Sequence, residues 1–308
     1  MLSKIEHAHR PKPLDPILDL VDFLNKTLKL DYMIAGGFPR DWYIETPFND
    51  VDIYLDLSST YIKDTKTLVK ILRSTKRFEI TKEISNRFVE TIFCDSSPFT
   101  KGRPKHRVQF IMWYSTHHDA ISNFDFEHCK FFIPIINQDP RSNFFNKGLI
   151  SGEVYTHPLA KDSLAKKELI LTPSALQKLE KMNSDGRGLS TLEIFIKRTL
   201  RFMSRGFLPT LETKNMLLEA TENYFTAVPI SDFSGLKSIL LDEAEDYDDA
   251  IEGISIYKES EVARNLIANL LLICNVEDRA RLLTSPCNFL RDNTLSILQD
   301  FPELSNGV

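Results

Sequence analysis

Apolar residues in the stretch Pro16–Leu28, PILDLVDFLNKTL, recur as Ile17, Leu20, Leu24 and Leu28, the spacing of one helix face. The next segment, YMIAGG from Tyr32, reads as a short buried strand stopped by two glycines. FPRDWYIE reads as a short helix, with Pro39 tolerated in its first turn. DVDIYLDL alternates charged and apolar positions, the signature of a half-buried strand. Leu68–Leu72 sits in a second helix, and RFVETIFC and HRVQFIMWY are two further strands. The loop between those strands, SSPFTKGRPK, is rich in Pro, Gly and Lys. Beyond about Pro140 the pattern changes to helices over Pro173–Met182, Ser190–Arg205 and Thr210–Phe225, with several more after Ser231. The fold class is therefore α+β: a small mixed sheet with flanking helices, followed by an all-α region.

Composition narrows the picture. A chain of 308 residues with 42% hydrophobic content supports one large domain or two ordinary ones. No segment has the roughly 18 uninterrupted apolar residues of a membrane span. The N-terminus has no apolar signal core, so the expectation is a cytoplasmic protein without a membrane partner. Cys94, Cys129, Cys274 and Cys287 are scattered with no C-x-x-C, as expected for reduced thiols.

The net charge of −5 argues against a generic nucleic-acid-coating protein, but the charge is uneven. Ile62–Arg107 carries 12 Lys/Arg against 5 Asp/Glu, and Lys161–Arg205 carries 10 against 5. Gly206–Val308 carries 7 against 18. Basic stretches beside an acidic region suit a protein that engages phosphates in one place; solvated faces are the plainer alternative.

The chemistry concentrates in AGGFPRDWYIETPFNDVDIYL. Asp50 and Asp52, two apart on a strand, project from one face with Cα atoms about 6–7 Å apart. Like charges held that close repel unless a cation sits between them. Oxygen donors without His or Cys favour Mg²⁺ or Mn²⁺. Gly36 and Gly37 end a strand just before a helix, where backbone N–H groups can approach a phosphate. Arg40 adds a charged fork suited to phosphate oxygens. A lone D-x-D or Gly-Gly is weak, but this order and spacing describe a site for a metal-bound nucleoside triphosphate.

That stretch resembles the head motif of the poly(A) polymerase and tRNA CCA-adding branch of the DNA polymerase β-like nucleotidyltransferases. SNFDFEHCK resembles the segment that follows their catalytic sheet, and LEIFIKRTLRFMSRGF resembles their neck helix. The combination also resembles nucleotidyltransferases encoded by phages and large viruses. The resemblance covers roughly residues 15–210. It implies a catalytic head over 1–140, a linker and neck helices over 141–208, and an acidic C-terminal helical region over 209–308. It makes Asp50 and Asp52 the catalytic residues and metal ligands, Gly36 and Gly37 the triphosphate cradle, and Arg40 a phosphate contact. Asp41 braces the turn, Asp125 positions a helix beside the nucleotide, and Arg198 and Arg201 reach the nucleotide or primer end from one helix face. Mg²⁺ or Mn²⁺ and an NTP are the implied cofactor and substrate.

The match departs from the family in two places. Many such sites have a third carboxylate on a neighbouring strand, where HRVQFIMW offers Gln109; Glu90 and Asp125 are the other candidates. A buried Glu90 pairs equally well with Arg87 or Arg107 for structural reasons. The Glu-Asp-x-x-Arg helix that selects C and A has no counterpart, since DEAEDYDDAIEG lacks the arginine at that spacing. His117-His118 point apart and suit a helix start better than a metal, and His128 beside Cys129 suits packing. Phe124, Phe126, Phe131 and Phe132 suit the core better than base stacking.

Three functions remain. The first is template-independent addition of NMP to an RNA 3′ end, tRNA or poly(A)-like, by two-metal phosphoryl transfer. The second keeps that chemistry but uses a small-molecule or protein acceptor, to which the acidic C-terminal region is suited. The third is a degenerate nucleotide-binding module.

Overall fold

A computed structural model describes residues 3–5, 17–27, 32–55, 62, 64–85, 90–96, 106–112, 114, 117–135, 154–181, 188–227 and 256–304. The chain divides into two compact units, residues 1–164 and 165–308. Arg87, the acidic run at 242–253 and most of the loop at 95–105 lie outside the described residues.

The first unit is built on one mixed sheet with eight strands among the described residues. They are β1 (Ser3–Ile5), β2 (Tyr32–Ala35), β3 (Asp50–Leu55), β4 (Phe78–Ser85), β5 (Glu90–Ser96), β6 (Arg107–Ile111), β7 (Phe131–Ile135) and β8 (Val154–Thr156). Their order is β1-β8-β7-β2-β3-β6-β5-β4. The central pair β3–β6 is parallel, and every other neighbouring pair is antiparallel.

Period-two alternation divides the sheet into two faces. On β3, Val51, Ile53 and Leu55 are buried while Asp50, Asp52 and Tyr54 are half-buried. Register aligns Ile34, Ile133, Val108, Phe110, Ile92 and Cys94 with the buried set. Helix α1 (Leu18–Thr27) reaches this face through Phe23, whose ring centroid lies 6.0 Å from that of Phe78. Helix α3 (Thr65–Ser74) packs on β4 and β5, with Leu68 and Leu72 fully buried. Each such side chain contributes roughly 1.5–3 kcal/mol over its exposed state. Asp64 starts α3 by accepting a 2.7 Å hydrogen bond from the Thr67 N–H.

On the opposite face, helix α4 (His117–Ser122) lays Ala120 and Ile121 against Met33, Ala35 and Phe132. It leaves Asp50 and Asp52 half-buried beside it.

Four strands of this sheet escape the sequence pattern. In β4, a register shift between Ile80 and Lys82 breaks the alternation that Phe78 and Ile80 begin. In β7, Pro134 argues against an interior strand. It is tolerated because the β7–β8 pairing ends at Phe132, so no partner on that side needs its missing N–H. β1 and β8 are three residues each, too short for a period to show.

The first unit also extends further than the head expected at 1–140, because β8 pairs with β7. Helix α5 (Pro158–Lys166) then leads out of it. The second unit holds α6 (Pro173–Lys181), α7 (Gly188–Met203), α8 (Leu211–Ala227), α9 (Ile256–Leu271), α10 (Val276–Leu283) and α11 (Asn288–Asp300). A two-residue parallel pair joins β9 (Glu168–Leu169) to β10 (Leu208–Pro209). α7 packs on both α8 and α9, so the expected neck and C-terminal regions form one unit instead of parting at 208/209. Arg281 on α10 grips both carboxylate oxygens of Glu222 on α8, at 3.1 and 2.5 Å.

All four cysteines are free thiols. Burial, with nearby acidic groups, pushes Cys94 and Cys274 up to about 12. No helix among the described residues is long and apolar enough to cross a membrane.

Candidate nucleotide and metal site

Strand β2 ends against helix α2 (Gly37–Tyr43) through a turn that only glycine makes easily. Gly36 has φ +80° and ψ −124°, a region strained for any residue with a Cβ. Its N–H donates to the Phe131 carbonyl of β7 at 2.9 Å, which fixes the turn to the sheet. No side chain caps α2, and the N–H groups of its first turn have no acceptor within the helix.

The return from α2 to β3 is equally fixed. The Phe38 ring packs edge-on against Phe48 with centroids 4.6 Å apart. The Thr46 N–H donates to the Asp41 carbonyl at 2.8 Å. Strand, turn, helix and strand thus form one stiff hairpin-like unit, and it delivers Asp50 and Asp52 to the half-open face.

The two glycines face the two carboxylates. A Cβ on Gly36 would stand 3.4 Å from Asp52 Oδ2, and one on Gly37 would stand 3.9 Å from Asp50 Oδ1. The missing Cβ atoms therefore leave a gap lined by carboxylate oxygens on one side and backbone on the other. An all-oxygen donor set beside backbone N–H groups fits Mg²⁺ or Mn²⁺ carrying a triphosphate.

Gln109 is the nearest polar neighbour on β6. In register it lies opposite Asp52, but its Nε2 donates to Asp50 Oδ2 at 3.1 Å. Among the described residues no trio of His, Cys, Asp or Glu is poised to hold a metal. Asp125, 9% exposed and just ahead of the 3₁₀ turn Glu127–Cys129, therefore does not complete a set with Asp50 and Asp52. Glu90 opens β5 opposite Ser85, and its side chain lies outside the described residues.

Arg40 is placed differently from the expected phosphate contact. It is 5% exposed, and its Nε and Nη2 meet Asp41 Oδ1 at 2.7 and 2.5 Å. Its Nη1 reaches Cys129 Sγ at 3.8 Å. This arrangement ties α2 to the 3₁₀ turn, a bracing role that Asp41 shares. Arg198 and Arg201 are exposed on α7 of the second unit. His118 is exposed on α4, while His128 is buried with Nε2 3.6 Å from Cys129 Sγ. Phe126, Phe131 and Phe132 are core residues, and Phe124 is half-buried.

Sequence reasoning missed a buried charged cluster on the same turn. Glu127, 1% exposed, accepts from Lys130 Nζ at 2.9 Å and lies 3.0 Å from His157 Nδ1. The i,i+3 spacing in EHCK signals the first pair. The third member comes from the end of β8 and leaves no local signal. Burial lowers the His157 pKa, with the attraction of Glu127 opposing it and Lys130 adding to it.

Residues 15–167 match the sequence model of the Gabija anti-defense 2 family, Gad2. No curated protein matches the chain. Among solved structures, the Thermotoga maritima CCA-adding enzyme complexed with tRNA is 14% identical with a TM-score of 0.47, over 95% of this chain and 56% of that one. A CCA-adding enzyme complexed with ATP is 14% identical with a TM-score of 0.45, over 97% and 63%. A tRNA nucleotidyltransferase complexed with a primer tRNA and an ATP analogue is 14% identical with a TM-score of 0.42, over 91% and 75%. The chain thus spans 56% and 63% of the length of the two CCA-adding enzymes.

Proposed function

We propose that this chain transfers a nucleotide from an NTP to an acceptor hydroxyl. The observation that carries the reading is the pairing of Asp50 and Asp52 with the Gly36-Gly37 gap. A divalent cation bound there supplies charge neutralisation at the triphosphate. Asp50 and Asp52 hold it, and the α2 backbone orients the phosphates. The acceptor oxygen attacks the α-phosphorus, the bond to the bridging oxygen breaks, pyrophosphate leaves and the hydroxyl proton is released. Arg40 and Asp41 keep α2 in place during this exchange. Asp125 supports the same turn from behind, and Arg198 and Arg201 are offered for the nucleotide or acceptor.

An RNA 3′ end is the first acceptor, supported by the basic runs at 62–107 and 161–205. A second reading keeps the chemistry and changes the acceptor to a protein or small molecule. It is favoured by the match to a family described as anti-defense, whose acceptor belongs more naturally to the defence apparatus than to tRNA upkeep. The acidic composition of 206–308 suits a protein partner in the same way. Supplying labelled NTP with RNA, protein and small-molecule fractions in parallel separates the two. Label in RNA, with binding that weakens steeply as salt rises, supports the first. Label in protein or in a small molecule supports the second, and label nowhere overturns both.

A further inference from the structure

Strand β6 places an amide where a carboxylate would complete an acidic trio. Gln109 Nε2 donates to Asp50 Oδ2 at 3.1 Å. An ionised carboxylate only accepts, so the amide nitrogen, not the oxygen, must face Asp50. One lone-pair direction of Asp50 is therefore taken, and its other oxygen is turned toward Gly37.

The charge of the site follows from this. Asp50 and Asp52 bring two negative charges, and Gln109 brings none. Asp95 is the next carboxylate in the row, but Arg107 stands between it and Asp50 in register. Two strand spacings put Asp95 roughly 10 Å away. Two charges balance one dication. Two dications held about 3.5–4 Å apart, as paired-metal sites require, repel strongly unless further anionic ligands face both.

We infer that the site holds one divalent cation tightly, the one shared with the triphosphate, and takes a second only weakly, with Gln109 acting as the positioning residue for Asp50. This deepens the nucleotidyltransferase reading and rests on it. The second cation is then the step that sets how transfer responds to metal concentration.

The test is a count of bound Mn²⁺ by EPR on the full chain with one equivalent of a non-hydrolysable NTP. The wild type takes one Mn²⁺ tightly and a second at least about tenfold more weakly. Gln109→Glu brings the second to within about tenfold of the first, a shift on the scale of outer-ligand changes at metal sites. Gln109→Leu leaves the second weak and loosens the first severalfold, because Asp50 is no longer held. Two wild-type sites of like affinity overturn the inference, as does a Gln109→Glu count identical to wild type. If Gln109→Glu does not fold, the wild-type count alone decides. Complete absence of NTP binding, with or without Mn²⁺, overturns the nucleotidyltransferase reading as well, which separates the two failures.

Discussion

Gly36 and Asp52 form the two walls of one narrow gap: a Cβ on the glycine would stand 3.4 Å from the aspartate Oδ2. Gly36 serves the turn as well as the gap, because its φ of +80° excludes most other residues. Gly37 has no such backbone demand, and a Cβ there would make ordinary contact with Asp50 at 3.9 Å.

The two glycines should therefore fail differently. Gly36→Ala should lower stability by about 1–3 kcal/mol through backbone strain, read by urea denaturation. Gly37→Ala should leave the urea midpoint nearly unchanged yet weaken NTP binding, because the new methyl enters the space kept for phosphate. Unchanged NTP affinity in a folded Gly37→Ala variant would remove the glycine pair from the site.

Asp52→Asn should cut transfer by at least about a hundredfold, the order expected when one electrostatic partner of a developing charge is lost. Stability should hold or rise slightly, since the repulsion between Asp50 and Asp52 is relieved. Paired activity and thermal-melt measurements check both halves. Near-wild-type transfer in this variant would contradict the assignment.

The site was legible in sequence because its parts are local: Gly36, Gly37, Asp50 and Asp52 fall within one β2–α2–β3 unit. The order of turn, short helix and D-x-D strand survives without any knowledge of the sheet. Arg40 was misplaced because its spacing gives no sign of burial, which Asp41 and Cys129 of a distant turn impose. β7 was hidden by Pro134, whose tolerance depends on where its neighbour β8 stops. The role of Gln109 was visible only as a missing acid; its bond to Asp50 is a property of the β3–β6 register.

His157 should make stability fall on acidification. Its folded pKa lies below the ordinary 6.5, chiefly through burial. The unfolded chain then binds the proton more readily than the folded one, so this contribution is constant above about pH 6.5 and falls as pH drops from there toward the folded value. Urea denaturation of wild type and His157→Gln across that window should give curves that converge at low pH. A parallel pH dependence in both proteins would show that His157 carries none of it.

The Glu127–Lys130 pair should be asymmetric under mutation. Lys130→Met leaves a carboxylate buried without its 2.9 Å partner and should cost about 3–5 kcal/mol at alkaline pH, where His157 is neutral. The double variant Glu127→Gln, Lys130→Met should recover most of that loss, because no charge remains buried. Additive losses in the double variant would show that the pair does not act as a unit.

The most direct test of the central claim is incubation of the purified chain with each NTP labelled at its α-phosphate, Mg²⁺ or Mn²⁺, and cellular RNA, beside an Asp50→Ala, Asp52→Ala double variant. The account predicts label carried into an acceptor by the wild type and lost with the double variant. Label that persists in the double variant, or its absence from every acceptor offered with either metal, would contradict it.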